Sequence, residues 1–160
     1  MTQNDPDKVL ALTATTLTGP SEGDVLHVYY DPNHIPTIGY GSIWDLDGNR
    51  VTPSTPPITQ AQAIAILERE LRSALQVVEA DVPVPLTDNE EAALTDFVFN
   101  VGAGNFDHST LLADLRAGNY EGAADQLLLW DHGNGGVVLA GLAKRCAARR
   151  ALFLKPDAPT

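Results

Sequence analysis

The chain reads as an α+β fold: one helix, a small β region, then a run of helices. Three observations carry this reading. Two β-prone runs, Val28-Tyr29-Tyr30 and Thr37-Ile38-Gly39-Tyr40, flank the turn-forming stretch Asp31-Pro32-Asn33-His34. A capping box, Thr59-Gln60-Ala61-Gln62, precedes Ile64, Leu67, Leu71, Leu75 and Val78 at helical spacing. A second, Thr87-Asp88-Asn89-Glu90, precedes Leu94, Phe97, Val98 and Val101 in the i, i+3, i+4, i+7 pattern of a buried helix.

Taken in order, residues 1–7 are polar and are expected to be frayed. A first helix is predicted from about Asp7 to Thr16. Gly19-Pro20 should interrupt it, because proline lacks the amide donor and clashes with the preceding turn. Pro20 can still open a short turn that carries Glu22. Residues 25–51 form the hairpin region, with a second turn at Asp45-Leu46-Asp47-Gly48-Asn49. Asp45, Asp47 and Asn49 alternate like calcium ligands, but the glycine and the distal glutamate are misplaced, so no metal is expected there. Thr52 to Pro57 is a proline-rich loop. The long helix behind Thr59 runs to about Ala80, where Pro83 and Pro85 prevent continuation. The helix behind Thr87 ends at Gly102-Ala103-Gly104. Ser109 caps a short helix that Gly118 closes. Tyr120 to Trp130 is the next helix, Gly133 to Gly136 a loop, and Leu139 to Leu154 the last helix.

With 160 residues and 44% hydrophobic content the chain supports one domain with a sizeable core. Its single cysteine, Cys146, excludes an intramolecular disulfide and reads as a small buried hydrophobe. No stretch approaches the ~20 apolar residues of a membrane span, and no basic region followed by an apolar run opens the chain. A soluble chain made in the cytoplasm is therefore expected. The net charge of −11 argues against nucleic-acid binding. The charge is uneven, however. Residues 141–160 hold Lys144, Arg145, Arg149, Arg150 and Lys155 against Asp157 alone. A basic last helix on an acidic body would place positive charge at a cleft for an anionic substrate; the plainer reading is a solvated helix face.

The chemistry concentrates between residues 21 and 41. Glu22 and Asp31 are nine residues apart, and Thr37 follows six later. An acid, a carboxylate and a hydroxyl that positions water are the equipment for hydrolysing a glycosidic bond. A glutamate sheltered by apolar neighbours keeps its proton and serves as general acid. Asp31 would stay ionised, stabilise positive charge on the sugar and orient water held by Thr37. His27 and His34 lack a matched third ligand, so no metal site is expected.

Glu22-Gly23, Tyr29-Tyr30-Asp31 and Thr37-Ile38-Gly39-Tyr40-Gly41 match the pattern Glu-Gly, Tyr-x-Asp and Thr-Ile-Gly-x-Gly. Phe97-Val98-Phe99-Asn100-Val101-Gly102 matches Phe-x-Phe-Asn-x-Gly. Phe106, Ser109-Thr110-Leu111-Leu112, Gly141-Leu142, Arg145 and Arg150-Ala151-Leu152-Phe153 extend the agreement. From about Val9 to Leu154 the chain resembles the phage-type lysozymes, the tailed-phage endolysin muramidases of glycoside hydrolase family 24. That resemblance implies a lysozyme-like single domain: a β lobe at about 18–58, a bridging helix at about 59–81, and a helical lobe at about 82–155 joined by the N-terminal helix. A cleft would lie between the lobes. It further implies hydrolysis of the β-1,4 bond between N-acetylmuramic acid and N-acetylglucosamine, with inversion. Glu22 would be the acid, with Asp31 and Thr37 on the water.

No cofactor is expected. Peptidoglycan is the expected partner, met by a monomer that does not insert into the membrane. It would wait in the host cytoplasm until a separate membrane-permeabilising protein opens the way to the wall in the periplasm. Asn100, Phe106 and Arg145 are the candidate substrate contacts. Each has a plainer reading: a helix-end hydrogen bond, a core ring like Trp130, and a surface arginine. Arg145 would approach Glu22 across the cleft. Two departures stand out. Ser42 replaces a frequent histidine, which bears on support of the hairpin. Arg149 replaces a frequent glutamate, so a salt bridge on the last helix should be missing. A lytic transglycosylase and an inactive wall-binding module are the alternatives; the retained Glu22, Asp31 and Thr37 weigh against both.

Overall fold

The computed structural model describes residues 4–22, 25–130 and 140–156, with the backbone alone for Ser21, Glu22 and Ala140. The loop expected at Gly133–Gly136 lies outside the described residues. Helix α1 (Pro6–Thr13) starts at Asp5, whose side chain accepts from the Asp7 amide. It does not stop before Gly19-Pro20. The helical path widens into a π-helical turn, Ala14–Thr18, and resumes as α2 (Gly19–Glu22). The expected interruption is thus absent, although the short turn carrying Glu22 is present. The reason is geometric. In the π turn the Gly19 amide reaches back to the Ala14 carbonyl, a longer step than in an α-helix. That widening accommodates a proline, which has no amide to place in the ladder. A Cβ on residue 19 would collide with the same Ala14 carbonyl oxygen, so glycine precedes the proline.

Strands β1 (Val25–Tyr30) and β2 (Pro36–Gly39) pair antiparallel, with Tyr29 opposite Thr37 and Tyr30 opposite Pro36. The register shifts between Val25 and Tyr29, an irregularity in the pairing of β1 with β2. Isolated bridges Ile38–Ser42 and Trp44–Arg50 extend the lobe past β2.

Helix α3 (Gln60–Asp81) begins at the expected capping box, formed reciprocally by Thr59 and Gln62. Its buried face, which includes Leu67, Leu71, Leu75 and Val78, packs on α4 (Asp88–Val101). Its N-terminal part meets the β lobe: the Gln60 amide donates to the Tyr40 hydroxyl at 2.6 Å. Gly102 ends α4 at a φ of 92°, and the chain turns at once into a short helix, α5 (Ala103–Asp107), that the sequence does not announce. Helices α6 (Thr110–Arg116), α7 (Tyr120–Gln126) and α8 (Ala140–Leu154) complete the body. The core runs through α1, α3, α4, α6 and α8, with Phe97 and Phe106 meeting edge to face and Trp130 edge-on to Phe97 at 5.2 Å.

Candidate active site

Asp31 follows the last residue of β1 and opens the hairpin turn. Its Oδ1 accepts from the amides of Asn33 and Ile35, both at 2.8 Å. The Asp31 amide donates to the Ile35 carbonyl and the His34 amide donates to the Asp31 carbonyl. One carboxylate oxygen is thus bound into the turn, which fixes the direction of the group before any ligand arrives. Thr37 follows on β2 and is 2% exposed. Its hydroxyl donates to the Ile35 carbonyl at 2.8 Å, leaving the oxygen's lone pairs to accept. Asp31 and Thr37 therefore share Ile35 as a common anchor: its amide holds one and its carbonyl the other. Glu22 closes α2, three residues before β1. Its side chain, its separation from Asp31 and the expected approach of Arg145 to it lie outside the described residues.

The helical body supplies an unexpected charge cluster against the π turn that precedes α2. Asp96, on α4, is fully buried. It accepts from the Thr18 hydroxyl at 2.7 Å, from Arg145 at 3.1 Å and from Arg149 Nε at 2.8 Å. Arg149 is also fully buried, stacks over Phe97 at 5.3 Å and donates to Asn100 at 3.3 Å. One expectation is corrected here. The last helix is not short of a salt bridge, because Asp96 supplies the carboxylate. The basic residues of this C-terminal stretch divide: Arg149 is interior and Arg145 is turned to Asp96, while Lys144 and Lys155 are exposed and Arg150 pairs with the exposed Asp125. The signal was present in the sequence. Arg149 falls on the apolar stripe of Cys146, Leu152 and Phe153, and Asp96 lies within the apolar run of α4. Two opposite charges at core positions imply a pair.

The other candidates separate. Phe106 is fully buried in the core, so its ring is not offered to a ligand. Asn100 is exposed at the end of α4 and accepts from Arg149. Arg145, with Leu17, Pro20, Leu142 and Lys144, lines a groove of about 670 Å³ between the helix bearing Glu22 and α8. Ser42 bonds Glu70 on α3 and the backbone of Trp44, while Arg69 donates to carbonyls of the same loop. The loop after β2 is thereby pinned to the long helix.

A helical body with a small hairpin lobe pinned to its longest helix is the architecture of the lysozyme fold, and the glycoside hydrolases that carry it are what the chain matches. A family model described as Phage lysozyme matches residues 20–149. The endolysin of Salmonella phage P22 is 38% identical over 133 residues, covering 83% of this chain and 89% of that protein. A SAR-endolysin of Bacteriophage PS119 is 32% identical over 150 residues, covering 91% and 86%. A crystal structure of a P22 lysozyme mutant superposes with a TM-score of 0.80 at 33% identity, covering 97% of this chain and 100% of that one. The chain belongs to the phage lysozyme family.

Proposed function

We propose that this lysozyme cuts the β-1,4 bond between N-acetylmuramic acid and N-acetylglucosamine in peptidoglycan with inversion. Glu22 acts as general acid, and Asp31 and Thr37 direct the water. The observation that supports this most is the shared anchoring of Asp31 and Thr37 on Ile35, which holds a carboxylate and a buried hydroxyl in fixed relation. Glu22 gives its proton to the departing glycosidic oxygen. Water, aligned by the Thr37 oxygen and the free oxygen of Asp31, adds to the sugar carbon from the opposite face. Asp31 takes up the proton that water releases. Such a mechanism requires the two carboxyl groups to stand about 6.5–9.5 Å apart, rather than the 5–5.5 Å of a retaining enzyme.

The chain is proposed to work as a monomeric single domain whose hairpin lobe and helical lobe close on the glycan about α3. Among the described residues no helix is long and apolar enough to cross a membrane. The proposed route to the wall is a lesion made by a separate protein; lysis of intact cells only after permeabilisation would support it, and lysis without it would refute it. The mechanism is tested by Glu22→Gln, which keeps size and removes the transferable proton. Lysis of purified walls should fall by about 10²–10⁴-fold or more, with helicity retained. The α-anomer should be the first product seen by proton NMR. Initial β-anomer would make Asp31 a covalent nucleophile, and anhydro-sugar products would indicate a transglycosylase.

A further inference from the structure

The turn that carries Asp31 occurs twice in this chain. In the second copy Asp45 Oδ1 accepts from the amides of Asp47 and Asn49, at 3.0 and 2.8 Å. Asp45 N donates to the Asn49 carbonyl, and Gly48 N to the Asp45 carbonyl. Every bond has its counterpart in the Asp31 turn, where the acceptors and donors are Asp31, Asn33, His34 and Ile35. Both turns need a left-handed residue at the fourth position. The second uses Gly48, at a φ of 86°. The first uses His34, at 64°, the only non-glycine residue with positive φ among the described residues. Glycine adopts that conformation without the steric cost a side chain meets. The turn itself therefore gives no reason for an imidazole. A residue held in a costly conformation where an unstrained one would serve points to a use for its side chain.

The side chain has a definite place. The His34 ring stacks on the Tyr30 ring, with centroids 4.8 Å apart and planes 17° from parallel. Tyr30 is 51% exposed and His34 is exposed as well. The pair brackets Asp31: Tyr30 is its neighbour in the chain, and the His34 amide is bonded to its carbonyl at 2.8 Å. A two-ring stack open to solvent is an apolar, flat surface with polar edges. The matching ligand is a pyranose ring, whose axial C–H bonds make one face apolar while its hydroxyls and acetamido group hydrogen-bond at the rim.

We propose that Tyr30 and His34 form an aromatic platform on which an N-acetylhexosamine of the glycan strand packs, next to the residue whose bond is cut. This rests on the muramidase reading. It adds two sugar-binding residues that position substrate and take no part in proton transfer.

The test uses the full chain. The Glu22→Gln protein, unable to cleave, is titrated with the hexamer of N-acetylglucosamine while the His34 and Tyr30 ring protons are followed by NMR. Both sets should shift on saturation. His34→Gly in that background should weaken binding about three- to tenfold, the range of one aromatic stacking contact. Tyr30→Ala should do the same and Tyr30→Phe should not. In the active protein His34→Gly should raise KM for soluble glycan with kcat within about twofold. Its urea midpoint should be equal or higher, because glycine relieves the left-handed strain. Unchanged affinity in both His34→Gly and Tyr30→Ala overturns the platform. So does a fall in kcat with KM constant, which would make His34 a support for Asp31. Failure of the active protein to release reducing ends from walls overturns the muramidase reading instead, and the binding titration is judged independently of it.

Discussion

The two aspartate turns of the hairpin lobe are built alike and are set in different surroundings. Each binds one carboxylate oxygen with two amides, and each is followed six residues after its aspartate by a side chain 2% exposed, Thr37 in one and Val51 in the other. The Asp45 turn is tied down from outside, because Arg69 of α3 donates to its backbone carbonyls. Among the described residues no side chain of α3 donates to the carbonyls of the Asp31 turn, which instead presents polar and aromatic groups. Holding a carboxylate rigidly is thus ordinary turn chemistry. What singles out Asp31 is a hydroxyl where its twin has a methyl, and an imidazole where its twin has a hydrogen.

Exchanging the aspartates breaks this comparison most sharply. Asparagine keeps an oxygen for the two amides and removes the charge. Asp31→Asn and Asp45→Asn should each cost about 1 kcal/mol of stability by urea titration. Wall lysis should fall about 10²–10⁴-fold in the first and stay within twofold in the second. Equal activities would reduce Asp31 to a turn former.

The contrast must hold against a body that stays folded, and Arg149 is the control. Arg149→Met leaves Asp96 facing only Arg145 and Thr18, and should cost about 3–5 kcal/mol. Arg149→Glu sets a carboxylate against Asp96 and should cost more, read as a lower thermal midpoint. Arg150→Glu, which breaks a pair in which both members are substantially exposed, should cost about 1 kcal/mol or less. A tolerant Arg149→Glu would show that the buried cluster contributes little to stability.

Thr37→Val makes the first turn resemble the second at the buried position. Shape is kept, and the hydrogen bond to the Ile35 carbonyl is lost. Stability should change by about 1 kcal/mol and lysis should fall about 10²-fold. Thr37→Ser, which retains the oxygen, should recover most of the rate. Equal rates in the valine variant and the parent would remove Thr37 from the water site.

The smallest effect separates pH dependence of folding from that of catalysis. Burial pushes the Glu91 carboxyl above its ordinary range; Glu79 and Asp88 add to this and a hydrogen bond from Asn4 opposes it. A carboxyl raised in the folded state favours folding when protonated. Its contribution is present below the unfolded value of 4.5 and is lost as pH rises through the higher folded value. Glu91→Gln should therefore raise the urea midpoint slightly at pH 7 and flatten its decline from pH 4.5 upward. A steeper decline would mean the ionised form is the stabilised one. Because Glu91 is far in sequence from the hairpin turns, the lysis profile of this variant should keep the limbs set by the site.

The sequence by itself determined whatever is settled within a turn or two of backbone. The capping boxes at Thr59 and Thr87, the caps at Ser109 and Gly118 and the two β runs around Asp31 are signals of that kind, as is the Glu22, Asp31, Thr37 spacing. Local hydrogen bonds and side-chain period write such features directly into neighbouring residues. Tertiary structure decided the rest. Whether Gly19-Pro20 broke the first helix depended on a π turn whose Thr18 is held by Asp96, 78 residues away. The apolar stripe of α8 hinted that Arg149 was interior, but its pairing with Asp96, 53 residues away, was decided only when α8 was laid on α4. Phe106 became core only when it met Phe97. The equivalence of the Asp31 and Asp45 turns needed backbone angles, since Pro32-Asn33-His34 and Leu46-Asp47-Gly48 share no pattern of residues. A buried charge or a left-handed histidine runs against local preference, and only the free energy of packing the whole chain can hold it there.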